Sequence, residues 1–334
     1  MSLPQTIDYR RNSLNTIRLM AALMVMYFHA QEHLHASAPL VLDYIFVFFS
    51  GVPVFFALSG YLIWNSLGRS GGLGDYLLKR GKRIYPELWA GVALNAAVMI
   101  LFLDRPIPWL ELGLFCMTQG SFLQFWTPDA LRSYGCGTPN GALWTICVTI
   151  QFYLAAYFFH RWMKGKKLGW WLGTFLCSIG ISVLSRKLDL VLPGIIFKLY
   201  GQTLLPYAWL FLLGMLCANY RDRLIPFLKK WWYLFVLVSI LQMITGFDIP
   251  TFNTGYEVVR SIALFLGLVG FAYRFPQLAV KRDISYGIFI YHMIVVNGMI
   301  ELGITHRFIY LVAAMAVSCV LAYISSRIFG AKSK

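Results

Sequence analysis

The chain has 334 residues, of which 59% are apolar and only 13% are charged. A water-soluble domain carries roughly twice that share of charged residues, because its surface must face water. The composition therefore excludes an ordinary soluble protein. The net charge of +15 would suggest a nucleic-acid partner in a soluble chain. In a membrane protein it indicates basic loops that obey the positive-inside rule, and we expect no nucleic acid to bind.

The apolar residues form blocks of about 20, each long enough to cross ~30 Å of hydrocarbon. Backbone groups inside lipid must satisfy one another, so such blocks are helices. The sequence predicts an all-α integral-membrane bundle of about ten transmembrane helices, one domain over residues 1–334, in the cell membrane. The predicted spans are about 14–34, 44–66, 84–103, 142–160, 168–184, 204–219, 231–247, 256–273, 284–302 and 308–328. Two weaker stretches, 108–125 and 190–200, predict half-helices or re-entrant pieces.

The loops between these spans divide the basic residues unevenly. Most of the 29 Lys and Arg, including the clusters at 79–83, 161–167 and 221–230, fall on the side of the N-terminus. Cytoplasmic loops carry an excess of Lys and Arg, so both termini are predicted to be cytoplasmic.

The six cysteines are scattered along the chain and show no zinc-binding spacing. Four of them fall inside apolar spans, where cysteine usually acts as a small packing residue. Cys116 and Cys136 lie in the long segment predicted to face outward, and one disulfide between them is compatible with the sequence.

The first span contains an arginine and a histidine, Arg18 and His29, within one hydrophobic helix. Such residues are costly in lipid, so they indicate function by default. Eleven residues at ~100° each make about three turns, which places both side chains on one face, about 16 Å apart along the axis. Two structural alternatives remain open, since Arg18 could reach the headgroups and His29 could be an ordinary interhelical hydrogen-bonding group.

Further polar residues follow His29. Glu32 and His33 lie three and four residues later, near the same helix face. One hypothesis is that Glu32 orients His29 as a general base. Another is a zinc site built from His29, His33 and a carboxylate, but no third ligand is well placed, so we expect no metal. The third is a polar cap of the helix that includes His33 and His35.

Five segments in order resemble the acyltransferase-3 family of membrane acyl-CoA-dependent O-acyltransferases. They are Arg18 to His29 in the first span, FFALSGYLI at 55–63, KRGKRIYP at 79–86, LWTICVTIQFY at 143–153 and SYGIFIYH at 285–292. The resemblance runs through nearly the whole chain. It implies an acyl-CoA donor, with acetyl-CoA as the expected co-substrate, and a carbohydrate or lipid-linked sugar acceptor at the cell surface.

The chain departs from the family pattern at two positions. Asn15 and Thr149 stand where the family usually has acidic residues. A mechanism that needs a carboxylate at position 15 or 149 is therefore in doubt, and Glu32 becomes the stronger candidate for an acidic group near His29.

Arg80 and Arg83, three residues apart at the start of the third span, are the predicted acyl-CoA site together with Arg18. Guanidinium groups bind phosphates in bidentate fashion, and the thin pantetheine arm of coenzyme A could then run past Arg18 to His29. The alternative is a plain basic loop on the cytoplasmic side.

Four further residues in the family-like segments are candidates for substrate binding: Ser59, Trp144, Gln151 and His292. Three of them have a structural alternative. A small residue such as Ser59 usually permits close helix packing, Trp144 is more often an interface aromatic, and His292 could tie helices together.

The hypothesis carried forward is a membrane O-acyltransferase in which neutral His29 takes a proton from the acceptor hydroxyl or carries the acyl group. The alternative function is a transporter or flippase of an anionic or lipid-linked sugar. Such proteins often have inverted repeats and broken helices in pairs, and the sequence has neither.

Overall fold

The structure is a computed structural model that describes residues 8–69, 71–103, 106–253 and 256–330. Within these residues the chain forms α-helices, short 3-10 turns and loops, with no β-strand, as predicted. The α-helices are α1 (Leu14–His33), α2 (Leu40–Phe48), α3 (Gly51–Leu67), α4 (Leu73–Phe102), α5 (Trp109–Gln119), α6 (Trp144–Met163), α7 (Leu168–Ser185), α8 (Gly194–Tyr200), α9 (Ala208–Asn219), α10 (Arg221–Thr245), α11 (Val258–Arg274), α12 (Ser285–Glu301) and α13 (Phe308–Ile328).

Helix α12 lies at the centre of one half of the bundle. Nearly every residue between Ser285 and Gly298 is buried, and α12 packs against α1, α4 and α13. Helix α1 packs against α12 and also against α3. The two helices that carry His29 and His292 are therefore neighbours.

Helices α3 and α9 cross at backbone distance in the other half of the bundle. A Cβ at Gly60 would lie 2.0 Å from the carbonyl oxygen of Phe211, and one at Gly214 would lie 1.8 Å from that of Ala57. Small residues permit such an approach between membrane helices. This contact explains the Ser59-Gly60 pair as a packing feature of α3.

Six segments of the described chain are long and apolar enough to cross a membrane, and a seventh is formed if α8 and α9, bent by 51°, make one span. These include five single predicted spans and the pair α2–α3, read together as Leu40–Leu67. The predicted spans 14–34, 256–273 and 284–302 are also helices, α1, α11 and α12. The count of ten spans stays a prediction, as does the orientation of the termini, since 1–7 and 331–334 lie outside the described residues.

One detail of the predicted elements is wrong, and one predicted span has an internal break. The basic segment 79–86, expected as a turn before the third span, is helical because α4 begins at Leu73 and continues through Pro86. The second span is interrupted at Phe49 and Ser50, between α2 and α3. Only parts of the two weak stretches are helical, as α5 and α8.

Candidate active site

His29 and His292 face each other across the contact between α1 and α12. His29 Nδ1 lies 2.9 Å from His292 Nε2, and the two rings are nearly parallel, with centroids 5.1 Å apart. His292 is fully buried, whereas His29 is only partly buried. The partner of His29 in the described structure is therefore a histidine from 263 residues further along the chain.

A single hydrogen bond fixes which ring nitrogens carry protons. His292 Nδ1 lies 2.9 Å from the carbonyl oxygen of Ile288, which can only accept, so His292 Nδ1 donates. Neutral His292 then has a free electron pair on Nε2, and that nitrogen accepts from Nδ1–H of His29. Neutral His29 is left with its electron pair on Nε2. The arrangement makes this atom the candidate base.

Glu32 does not take the place predicted for it. Its side chain is exposed, and its charge acts on His33 and Cys136, while the Nδ1 atom of His29 is occupied by His292. Glu32 lies three residues beyond His29, near the end of α1, and its exposed side chain is not the hydrogen-bond partner of His29.

The rings of His29 and His33 have centroids 5.9 Å apart, and His35 is exposed and stacks on His306. Among the described residues no group of three His, Cys, Asp or Glu side chains is arranged to hold a metal ion. The polar end of α1 thus carries three histidines, His29, His33 and His35.

At the opposite end of α1, Arg18 pairs with Asp283. Arg18 Nη1 lies 2.5 Å from Asp283 Oδ2, and both side chains are mostly buried. Asp283 also accepts hydrogen bonds from the backbone nitrogen and the hydroxyl of Ser285, the first residue of α12. Arg18 is therefore anchored to the start of α12 and does not extend freely to the headgroups.

Arg80 lies half-buried between two tyrosines. Its guanidinium carbon is 5.4 Å from the ring centroid of Tyr76 and 5.6 Å from that of Tyr153, and its Nη2 donates to the hydroxyl of Ser66. The Nε of Arg80 is buried without a protein partner among the described residues. A buried donor without a partner normally finds water or a ligand, which is consistent with an anion site.

Arg83 is exposed and, like Tyr153, lies close enough to Arg18 to act on its charge. No carboxylate forms an ion pair with Arg80 or Arg83 within the residues that the structure describes. The three predicted cofactor-binding residues, Arg18 of α1 and Arg80 and Arg83 of α4, therefore lie in one region of the bundle. Tyr153 of α6 lies near both Arg18 and Arg80.

The remaining predicted substrate residues make structural contacts. Ser59 is half-buried in α3 and forms no hydrogen bond to either histidine of the pair. Trp144 packs against Phe56 and Tyr207. Gln151 holds the loop before α9, since its amide donates to Gln202 and accepts from Leu204.

The two positions that depart from the family pattern also have local explanations. Asn15 is exposed near the start of α1. The hydroxyl of Thr149 donates to the carbonyl oxygen of Thr145, 2.7 Å away, within α6. Cys116 and Cys136 are both free thiols, so the disulfide considered above is not formed.

Two contacts of this region were not predicted from the sequence. Asp283 carries the ion pair that fixes Arg18, and Tyr153 lies near both Arg18 and Arg80. The signal for Asp283 was its position two residues before Ser285, where an Asp side chain commonly accepts a hydrogen bond from the backbone nitrogen two residues on. Tyr153 was part of the family-like segment 143–153 but was not assigned a role.

Two surface cavities, each about 580 Å³, lie elsewhere on the molecule, against α7 and between α10 and α11. Neither is lined by a predicted site residue. The passage from the arginines to His29 therefore stays a prediction.

The fold and these residues define a helical membrane protein with an arginine cluster at one end of α1 and a buried histidine pair toward the other. Comparison with known proteins gives the family. The family model "Acyltransferase domain" (Acyl_transf_3) matches residues 11–327. The chain therefore belongs to the acyltransferase-3 family and is a multi-pass membrane acyltransferase.

Three known proteins, from two bacteria and one phage, are similar to this chain. The chain is 29% identical to "Nodulation protein 10" of Rhizobium leguminosarum bv. viciae, over 90% of this chain and 88% of that protein. It is 24% identical to an "O-acetyl transferase" of Shigella phage Sf6, over 85% and 84%. A shorter match, 27% identical over 36% of this chain and 21% of the other, is to "Peptidoglycan O-acetyltransferase OatA" of Listeria monocytogenes. No solved structure matches the chain.

Proposed function

We propose that this enzyme transfers an acyl group, most simply acetyl, from acyl-CoA to a hydroxyl of a cell-surface or lipid-linked carbohydrate. The observation that carries the proposal is the His29–His292 pair, in which Nε2 of His29 is free to accept a proton. The names of two relatives, an O-acetyltransferase and a peptidoglycan O-acetyltransferase, support the oxygen nucleophile and the carbohydrate.

In the proposed reaction Nε2 of His29 removes the proton of the acceptor hydroxyl as its oxygen attacks the thioester carbonyl carbon. The C–O bond forms, the C–S bond breaks, and the thiolate of coenzyme A takes the proton from His29. The products are an acyl ester and free coenzyme A, so atoms and charge balance. His292 Nε2 keeps accepting from Nδ1–H of His29 throughout and stabilises the imidazolium.

A covalent variant uses the same atom. Nε2 of His29 attacks the thioester carbonyl first, the C–S bond breaks and coenzyme A leaves as the thiolate. The acceptor hydroxyl then attacks the acyl-imidazolium, the C–N bond breaks, and the hydroxyl proton passes to the freed Nε2 and then to the thiolate. Both routes require His29 in the tautomer that His292 selects. They differ in whether label from acyl-CoA remains on the protein after the donor is removed.

We place the phosphates of acyl-CoA at Arg80 and Arg83, with Arg18 along the path to His29. Arg80 has a buried donor without a protein partner, and neither Arg80 nor Arg83 is neutralised by a carboxylate in the described part of the chain. By this assignment the donor enters from the Arg18 end of α1 and the acceptor reaches His29 from the other end. The charge pattern of the loops makes the donor end cytoplasmic.

Substitution of Arg80 by Ala tests the donor site. The KM for acetyl-CoA should rise about tenfold or more, since a charge-assisted hydrogen bond contributes about 1.5–3 kcal/mol, while kcat changes less. Lys82→Ala is the matched control, because Lys82 is exposed between the two arginines and its loss removes the same charge from the same turn. Equal increases in KM for the two variants would contradict a specific phosphate site at Arg80 and would indicate only a general effect of positive charge.

The proposed function itself is tested with purified protein in detergent and labelled acetyl-CoA. Release of free coenzyme A, together with label on glycan strands or lipid-linked saccharides of added membranes, is the expected result. Protein that is folded but neither releases coenzyme A nor becomes labelled would refute the acyl-CoA donor.

A further inference from the structure

The segment 135–140, here called the strap, is fastened to the helix that carries His292. Asn297 of α12 is fully buried, and its amide oxygen accepts from the backbone nitrogen of Cys136 at 2.9 Å. The amide nitrogen of Asn297 donates to the carbonyl oxygens of Thr138 and Pro139, at 3.1 and 2.9 Å. One side chain therefore holds the strap by three hydrogen bonds.

The two ends of the strap are tied to α12 as well. Glu301, one turn after Asn297, accepts from the backbone nitrogen of Gly135 at 2.6 Å. The amide of Asn140 donates to the carbonyl oxygen of Ile290 at 2.9 Å. From its first residue to its last, the strap follows α12 along the stretch that contains His292.

The fit between strap and helix is close. Gly135 has φ +56°, a left-handed conformation that favours glycine, and a Cβ there would lie 2.1 Å from the amide oxygen of Asn297. Asn95 of α4, also buried, donates to the carbonyl oxygen of Pro139 at 3.2 Å. The strap is thus clamped between α12 and α4 in one conformation.

The strap lies at the His29 end of the bundle. Cys136 is close enough to Glu32, one turn beyond His29, to be affected by its charge. Directly after the strap, Ala142 and Leu143 enter the same buried cluster as Met26 of α1 and Ile290 of α12. Six loop residues would not be held by buried amides on two helices unless their position mattered, since each ordered residue costs about 1–2 kcal/mol of entropy.

We propose that the strap is the acceptor-side wall of the active site, and that Asn297 and Glu301 are positioning residues that hold it in place against water. The proposal rests on the proposed function, because an activated acyl group beside His29 is lost to hydrolysis if water reaches it. By this proposal the acceptor hydroxyl reaches His29 along the fixed wall while water is excluded. Loosening the wall should therefore divert acyl groups from the acceptor to water.

The test measures release of coenzyme A from acetyl-CoA by the purified full-length protein with no acceptor added. Asn297→Ala and Glu301→Ala should each raise this hydrolysis severalfold. Glu301→Gln should stay near the wild-type rate, because its amide oxygen can still accept from Gly135. A residue with a merely structural role would lower hydrolysis, not raise it.

Gly135→Ala changes the same contact from the strap, because the added methyl group would push the strap away from Asn297. This substitution should also raise hydrolysis. In the Asn297→Ala background the two closest contacts, with the amide oxygen and its carbon at 2.1 and 2.5 Å, are gone and only the Cβ of residue 297 at 2.7 Å remains, so the two effects should be less than additive. Gly298→Ala is the control on the same helix, since its Cβ would make only an ordinary contact of 3.5 Å with Val98. Additive effects of Gly135→Ala and Asn297→Ala would contradict the contact.

Cys136 reports strap movement independently of turnover. Burial raises the pKa of its thiol, so little reactive thiolate is present at pH 7. Asn297→Ala should increase its labelling by a soluble maleimide about tenfold, with Cys136→Ser to subtract the other cysteines.

Raised labelling with unchanged or lower hydrolysis would overturn the wall, and so would unchanged labelling. Should Asn297→Ala fail to fold, the Glu301 pair and Gly135→Ala decide the same question. Absence of wild-type turnover would instead refute the proposed function, and this inference with it.

Discussion

At the scale of single residues, the histidine pair gives a chemical reason for two polar side chains in an apolar bundle. The Ile288 carbonyl fixes the tautomer of His292, and His292 fixes that of His29. Each hydrogen bond therefore fixes which ring nitrogen of a histidine carries the proton. Together they identify Nε2 of His29 as the nitrogen that can accept a proton from the substrate.

Substitution of His292 tests this series of hydrogen bonds. His292→Ala leaves Nδ1 of His29 without an acceptor, and coenzyme A release should fall about 100-fold or more, the usual contribution of a positioned base. His292→Gln should retain more activity, since its amide oxygen can occupy the position of Nε2. The KM for acetyl-CoA should change little in either variant. Wild-type turnover in folded His292→Ala would contradict the orienting role.

The sequence predicted His29 and Arg18 because polar residues inside an apolar helix stand out against their surroundings. It favoured Glu32 as the partner of His29 because residues three apart on a helix are neighbours, and spacing of this kind describes only one helix. The contact to His292 depends on how α1 and α12 pack, which local spacing does not contain. His292 was named as a candidate, but its role as the partner of His29 required the fold.

At the scale of helices, α1 and α12 are joined at two levels. The histidine pair connects them at one level, and the Arg18–Asp283 ion pair connects them about 16 Å away along α1. Because Asp283 also bonds to the first residue of α12, the ion pair sets where α12 begins relative to α1. Its function at this scale is to hold the two histidines in register.

Asp283→Asn tests whether the ion pair with Arg18 stabilises the alignment of α1 with α12. The amide can still bond to Ser285, but Arg18 loses its counter-charge within a largely buried site, which should destabilise the protein by about 1–3 kcal/mol. Asp75→Asn is the matched control, because Asp75 forms an exposed ion pair with Lys79, and exposed pairs add little to stability. Thermal unfolding of both variants in detergent is the measurement. Equal changes in Tm would contradict the structural role of Asp283.

The existence of the helices followed from the apolar blocks, whereas the start of α4 did not. The segment 79–83 was expected as a turn because positive charge is typical of loops, but its exposed side chains can point to water from a helix that begins at Leu73. Pro86, inside α4, leaves the carbonyl of Lys82 without its usual partner, and Lys82 is exposed.

At the scale of the whole molecule, length and polarity explain why three predicted spans are not among the six long apolar segments. Helices α11 and α12 have only 17 residues each, and α1 contains Arg18, His29 and Glu32. All three helices have many buried residues, so their polar side chains can meet partners on neighbouring helices.

The same arrangement separates the two substrates of the proposed reaction. The arginines of α1 and α4 lie toward one end of the bundle, the strap lies toward the other, and His29 is between them. Donor and acceptor would meet only at His29, so the molecule as a whole would serve as a passage for an acyl group.

The most direct test of this account is the rate of coenzyme A release from acetyl-CoA, with acceptor-containing membranes added, by purified wild-type protein and by His29→Ala. His35→Asn serves as the control, since His35 is exposed at the same end of α1 and asparagine tolerates its left-handed φ of 48°. We predict that His29→Ala abolishes release while remaining folded and that His35→Asn retains it. Release by His29→Ala at the wild-type rate would contradict the role of His29 on which the mechanism depends.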